Sequence, residues 1–384
     1  MREARAVHAL DAPGGRRYCV MRYDDVVNAF KDARFRSAKM PPAILAALRR
    51  VGLGSLATIA DTGVLVTLDP PEHTRLRRLV ESYFRNREIR PLRERAEALA
   101  NQLLDRLGDR REFDLVSDFA AVFPTMVITE LMGFPAHDHL RLKRWSDDLA
   151  PMLDTDIQLL GVARAGRALV AFREYLKHIV EQRRRDPHDD LIGTLLRTES
   201  SADPLDDSEL LGMCVFILGA GHVTNRNLIA NAVLALIRHP QEMARLRAQP
   251  EFLESTVEEA LRYDSPIQRS GRVLREPVQV GDVVIPAGAA VRLMIGSANH
   301  DPRRFDNPDA FNIGRSDNRH VGFGGGAHIC LGLHLARLEG QVALDVLLRR
   351  YSRIELLDRR LRWLPGEKLR GLKSLRVRVE TAPA

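Results

Sequence analysis

Apolar residues recur at spacings of three and four along most of this chain. The stretches PEHTRLRRLVESYF, LRERAEALANQLLDRL, AAVFPTMVITELMG, ALVAFREYLKHIVEQRRR, LDDSELLGMCVFILGAGHVTNRNLIANAVLALIRHP and LHLARLEGQVALDVLLRRY all carry this period, which predicts helices. Two start signals stand out: Pro70-Pro71-Glu72, and Asp206-Asp207-Ser208 ahead of Leu210. Strict alternation is rarer. PVQVGDVVIPAGAAVRLMI alternates, with Gly281-Asp282 as a turn between two short strands, and RRYCVMRY is a further strand candidate. The pattern predicts a mainly α protein with a small β region rather than regular βαβ repetition. There is no internal repeat, low-complexity linker or domain boundary, so residues 1–384 are read as a single domain. The stretches 38–66 and 148–165 follow no period and are read as binding loops or lids.

Leu210 to Arg238 is apolar nearly all round, as a helix buried through the middle of the protein would be. Inside it lies GAGHVTN, Gly219 to Asn225. Each glycine there costs about 1 kcal/mol relative to alanine in a helix. One reading makes VFILGAG a strand entering a Gly-rich dinucleotide-binding turn, although the third glycine position is then Thr224 and no βαβ context surrounds it. The other is a helix whose backbone something must touch, loosened where the Thr224 hydroxyl bonds back to the carbonyl of Ala220.

Composition adds little until charge and cysteine are considered. The formal charge is +7, and all but six of the 58 basic residues are arginine. These arginines are scattered among acids and aromatics are few, so a basic face docking an acidic protein is expected and nucleic-acid binding is not. No apolar run approaches the roughly 18 residues of a spanning helix, and the N-terminus resembles no signal peptide. A cytoplasmic protein without a membrane anchor is therefore expected. The three cysteines, Cys19, Cys214 and Cys330, are too few and too far apart for a disulfide framework. Cys19 and Cys214 read as small buried hydrophobes.

Cys330 is different. It closes HVGFGGGAHICLG, with Gly332 two residues on and a helix, Leu333 to Tyr351, following. The positive end of a helix dipole favours a thiolate, and bared backbone at Gly324, Gly326 and Gly332 would admit a flat, bulky group. That is the design of a thiolate ligand to a haem iron. GFGGGA also mimics a dinucleotide turn, but GRSDNRH before it cannot be a buried strand. His328 is poorly placed to act as a protease base. Two weaker patterns accompany the loop. Glu259 and Arg262 lie one helical turn apart, although E-x-x-R recurs at Glu72/Arg75, Glu181/Arg184 and Glu242/Arg245 as ordinary solvated faces. His73 and Arg77 project from one helix face, either as a surface pair or as a clamp for an anion.

Phe323 to Gly332, FGGGAHICLG, resembles the haem-thiolate signature of the cytochrome P450 superfamily at every specified position. The resemblance extends over nearly the whole chain and is of the soluble bacterial type. It implies the cytochrome P450 fold, with haem b (iron protoporphyrin IX) buried between the long central helix and the Cys-ligand loop. Cys330 would be the axial iron ligand, Phe323 would shield the sulfur, and Gly324 and Gly332 would clear the ring. His73, Arg77, Arg272 and His328 would meet the propionates, which could not be buried unpaired. Ala220, Gly221 and Thr224 match the oxygen-side A-G-x-x-T, and Glu259 and Arg262 the structural pair. Two positions depart from the family. Val223 replaces the acid usual before Thr224, which brings Asn227 in as a further candidate. Ala310 replaces a meander arginine, so Arg315 is the candidate to complete a Glu–Arg–Arg network.

The implied activity is a monooxygenase fed with electrons from NAD(P)H through a ferredoxin or flavodoxin-type donor, which Arg75, Arg78 and Arg337 are candidates to dock. The substrate would be a hydrophobic small molecule of secondary metabolism, or an acyl chain tethered to a carrier protein, and a monomer is expected. The alternatives are a non-hydroxylating oxidation with substrate-assisted proton delivery, a non-catalytic haem-thiolate binding protein, and a nicotinamide-binding dehydrogenase that would leave Cys330 unexplained.

Overall fold

Helices form where the three-to-four period predicts them: Glu72–Glu81, Arg93–Leu107, Phe123–Met132, Leu159–Arg185, Asp207–Arg238 and Leu333–Arg350. The computed structural model describes residues 5–12, 15–38, 42–150, 159–197 and 204–382. The expected helix start at Asp206–Ser208 is a reciprocal cap. Asp206 Oδ1 accepts from Glu209 N at 2.8 Å, and Glu209 Oε2 accepts from Asp206 N at 3.1 Å. Of the two irregular stretches, 38–66 holds two short helices, Pro42–Arg50 and Gly54–Thr62. Each has nine residues, about two and a half turns, and Gly52 lies between them, so no long period emerges. The second stretch falls largely on 151–158, outside the described residues, with Leu159 opening the next helix.

The chain packs into two compact units, each gathered from separate stretches: Met1–Ala38, Arg93–Ala120 and Thr224–Ala384 in one, Lys39–Leu92 and Ala121–Val223 in the other. No linker composition marks the crossings, which is why the sequence shows no boundary.

The first unit contains the described strands: β1 Val7–Ala12, β2 Gly15–Val20, β3 Phe35–Ser37, β4 Glu112–Asp114, β5 Ser270–Leu274, β6 Val278–Val280, β7 Val283–Ile285, β8 Ala290–Leu293, β9 Tyr351–Leu356 and β10 Arg376–Thr381. They form a sheet of order β1-β2-β8-β5-β3, a sheet β4-β10-β9 and the hairpin β6-β7. The hairpin turns at Gly281, whose φ of 58° suits glycine. One face of the five-stranded sheet carries Val20, Phe35, Leu274, Val291 and Leu293 into a hydrophobic cluster with Val26, Phe30, Ile285 and Val321. The helix Leu333–Arg350 packs closely on its neighbours at Gly340, where a Cβ would lie 3.1 Å from Val257 and 3.5 Å from Leu228.

The second unit is helical. Phe134, Trp145, Phe172 and Tyr175 pack edge-to-face or tilted against one another where the helices His139–Leu149 and Leu159–Arg185 meet. The far end of the longer helix is tied down by Arg183, which pairs with Asp190 at 2.7 Å and donates to the Gly133 carbonyl at 2.5 Å.

Candidate active site

The Cys330 loop is built by backbone turns that need glycine. Gly324 and Gly326 sit at φ of 72° and 63°, conformations that side chains rarely adopt. A Cβ at Gly326 would lie 2.0 Å from the Phe30 carbonyl oxygen, so that glycine also permits a close backbone approach. The loop closes with Cys330 N donating to Phe323 O at 2.9 Å, and the helix begins just beyond Gly332, where a Cβ would meet nothing within 4 Å. Among the cysteines Cys330 alone is part-exposed, whereas Cys19 and Cys214 are buried, and burial pushes the Cys214 thiol up to about 12. The dinucleotide reading of this loop fails, since no strand precedes it.

Arg337, one turn into the helix, lies over the Phe323 ring at 4.9 Å and pairs bidentately with Glu258 at 2.7 and 2.8 Å. His328 Nε2 lies 3.1 Å from Ser37 Oγ, at the end of β3. Arg272, on β5, is buried. It donates to Ser270 Oγ at 2.7 Å and to the Gly271 carbonyl at 2.8 Å, and it lies over the Phe30 ring. Sequence reasoning missed Ser37 and Phe30, because the contacts join residues far apart in the chain, His328 with Ser37 and Arg272 with Phe30.

The Glu259–Arg262 pair is wholly buried, at 2.8 Å. Arg262 also donates to the carbonyls of Asn299, Pro308 and Ala310, at 2.9, 2.7 and 2.9 Å. Arg315 Nε lies 3.1 Å from Glu259 Oε2, and the Ala310 carbonyl accepts from Arg315 as well. Ala310 thus contributes its backbone where it lacks a charged side chain. Asn318 Nδ2 at 3.1 Å and the Asn312 backbone N–H at 2.9 Å complete the shell around Glu259. The other E-x-x-R motifs behave differently. Arg75 turns to Glu209, and Glu242 accepts from Ile313 N at 3.0 Å, which makes Glu242 an anchor of the same meander.

The central helix stays α-helical through Gly219–Asn225, which rules out the strand reading. Its two glycines serve different ends. A Cβ at Gly219 would meet nothing within 4 Å, whereas one at Gly221 would press on Ile128 at 3.2 Å. Val223 is buried and Thr224 is part-exposed. Asn227 is buried against Gly371, where a Cβ would fall 2.0 Å from its Oδ1. Asn225 donates to Glu339 Oε2 at 2.5 Å. Burial holds the Glu339 carboxyl well above its ordinary range, against that hydrogen bond. Glu339 is one of only two acids, with Asp345, in the largely apolar LARLEGQVALDVLL, and that was the available signal for it.

In the second unit, His73 is buried on the helix Glu72–Glu81 and Arg77 lies one turn along. Burial first, and the Arg77 charge second, hold His73 below its ordinary value. The docking arginines come out unequal. Arg75 and Arg337 are engaged with Glu209 and Glu258, and Arg78 stands exposed.

A haem needs a reachable sulfur, bare backbone beside it and cations for its propionates. The part-exposed Cys330 thiol, the open position at Gly332, and Arg272 with His328 fit those needs. Among the described residues no helix is long and apolar enough to cross a membrane. The family model for cytochrome P450 matches residues 46–361. The chain is 39% identical to cytochrome P450 107B1 of Saccharopolyspora erythraea, over 97% of this chain and 91% of that protein. It superposes with a TM-score of 0.91 and 32% identity on P450BioI, solved in complex with an acyl carrier protein ligated to hexadec-9Z-enoic acid, over 99% of this chain and 96% of that one. The myxobacterial CYP267B1, solved with myristic acid, matches with a TM-score of 0.89 and 38% identity, over 99% and 94%. The chain therefore belongs to the cytochrome P450 family, the haem-thiolate monooxygenases that draw electrons from a redox partner.

Proposed function

We propose that this chain, acting as a monomeric single P450 domain over residues 1–384 in the cytoplasm, hydroxylates a hydrophobic small molecule of secondary metabolism or an acyl chain carried on a carrier protein. The observation that carries the reading is the part-exposed Cys330 thiol at the end of a glycine-bared loop, directly ahead of the helix Leu333–Arg350. Cys330 would ligate haem b, with Phe323 shielding the sulfur and Gly324 and Gly332 clearing the ring. Bound there, the haem supplies the activation of dioxygen, with the thiolate strengthening its electron donation. His73, Arg77, Arg272 and His328 would hold the propionates. The Glu259–Arg262–Arg315 network fixes the meander ahead of the Cys loop. Ala220 and Gly221 shape the helix beside Thr224, whose hydroxyl would hold the water that passes protons. Electrons would come from NAD(P)H through a ferredoxin or flavodoxin-type donor.

The test is Cys330→Ala. The wild-type reduced carbonyl complex should show the red-shifted thiolate-type Soret band, and the variant should lose both that band and electron-driven turnover. A variant that keeps the band would assign the ligand to another cysteine. A second reading rests on buried Val223, which cannot carry a proton. In it the substrate's own hydroxyl or acid delivers the proton, and the reaction is an oxidation other than hydroxylation.

A further inference from the structure

The face of the five-stranded sheet opposite the hydrophobic cluster carries charge. Arg292 lies on β8 between Val291 and Leu293, both of which point into the cluster, so alternation sends Arg292 the other way. Its directly paired neighbours are Cys19 on β2 and Gly271 on β5, and paired residues share a face. Gly271 contributes no side chain there, and a Cβ built on it would meet nothing within 4 Å. A gap therefore flanks the Arg292 stem.

Into this corner comes a second guanidinium. Arg269 is 2% exposed and lies 3.5 Å from Glu367 Oε2, and the same carboxylate pairs with Arg292. Two cations thus share one anion, and the exposures are lopsided. The Arg269 and Arg292 side chains are 3% and 13% exposed, whereas Glu367 is 57% exposed. The cations are fixed in the fold and the acid sits on the rim. An ion pair with so exposed a partner contributes little. A carboxylate of better reach would displace it without leaving either guanidinium uncompensated, and arginine's planar fork favours a bidentate carboxylate.

We propose that Arg269 and Arg292 form a carboxylate-binding site, and that Glu367 occupies it as an internal stand-in until the free acid end of an amphipathic substrate takes its place. The inference rests on the monooxygenase reading and narrows its substrate class to hydrophobic molecules ending in a carboxylic acid. Carboxylate is the favoured anion because a carboxylate already fits both arginines.

The experiment is calorimetric titration of the haem-loaded full-length protein with dodecanoic acid and, separately, dodecanamide. The wild type should bind the acid about tenfold more tightly than the amide, the ratio one charge-assisted contact sustains. In Arg292→Gln the two affinities should converge. Glu367→Gln removes the competitor, so the acid should bind several-fold more tightly while the amide is unchanged. These two positions are partly exposed, which spares the fold; Arg269 is too buried to serve first. The inference is overturned if neither compound binds, if the wild type does not distinguish them, or if Glu367→Gln leaves acid binding unchanged or weaker. The carbonyl band of the same preparations separates the two readings. A normal band with equal affinities removes only the carboxylate site, and a missing band removes the monooxygenase reading itself.

Discussion

Thr224 and Asn227 lie three residues apart on one helix, yet their surroundings separate their roles. Thr224 is part-exposed, while Asn227 is buried against the backbone at Gly371. A hydroxyl with room beside it can hold a water; an amide wedged onto a backbone mainly packs. Thr224→Ala should therefore divert reducing equivalents to hydrogen peroxide while haem content is unchanged, and Asn227→Ala should have the smaller effect. Product formed per nicotinamide consumed, with peroxide assayed in parallel, decides it. Unchanged coupling in Thr224→Ala would favour proton delivery by the substrate. Glu339 makes a different residue-scale prediction. Its folded-state pKa is raised by burial, so the stability linked to its proton is complete below about pH 4 and is lost as pH rises through the folded value. Glu339→Gln, fixed in the neutral form, should match wild type in urea unfolding near about pH 4 and exceed it increasingly towards about pH 8. A stability difference that does not grow with pH would mean that the carboxylate is stabilised in its charged form after all.

At the scale of elements, the buried Glu259–Arg262 pair and the Cys loop make separable predictions. Removing Glu259 leaves Arg262 buried without a counter-charge, a loss of about 3–5 kcal/mol, and removing Arg262 leaves Glu259 with Arg315 as its one cation. Glu259→Ala and Arg262→Ala should thus lower folded yield and haem retention without changing the site of oxidation, and a fully haem-loaded variant would show the pair to be dispensable. In the Cys loop, Gly326→Ala should lower thermal stability more than Gly324→Ala. Both glycines have positive φ, but an added Cβ meets the Phe30 carbonyl at 2.0 Å in the first case and nothing closer than 3.8 Å in the second. Equal melting temperatures would mean that the Phe30 strap yields. These cases also mark what was legible in advance. The E-x-x-R pair and the Cys-loop glycines are local patterns, and the long helices repeat their period over several turns. The partners Asn318 and the Pro308 carbonyl, the Phe30 approach and the short helices Pro42–Arg50 and Gly54–Thr62 were not legible. Their causes are contacts distant in sequence, or patterns too brief to register a period.

For the molecule as a whole, charge is the property that sequence reads correctly in sum and poorly in place. The total of +7 predicted a basic docking face, and the family resemblance made Arg75, Arg78 and Arg337 its candidates. Arg75 and Arg337 prove to be neutralised by Glu209 and Glu258, a pairing that depends on residues 134 and 79 positions away. The exposed Arg78 is left as the best of the three to meet an acidic donor. Long-range attraction between a basic protein and an acidic partner is screened over about 10 Å at 0.1 M salt, whereas buried pairs are screened far less. The KM for an acidic ferredoxin should therefore rise several-fold between about 0.05 and about 0.3 M salt, while thermal stability, carried by buried networks such as Glu259–Arg262, changes little. Arg78→Glu should raise that KM at low salt and flatten its salt dependence, with the reduced carbonyl band intact. Arg75→Gln, by contrast, should act through stability, since it strands Glu209. A donor KM indifferent to both salt and Arg78→Glu would place the docking contacts on apolar surface, and the net positive charge would then have another role.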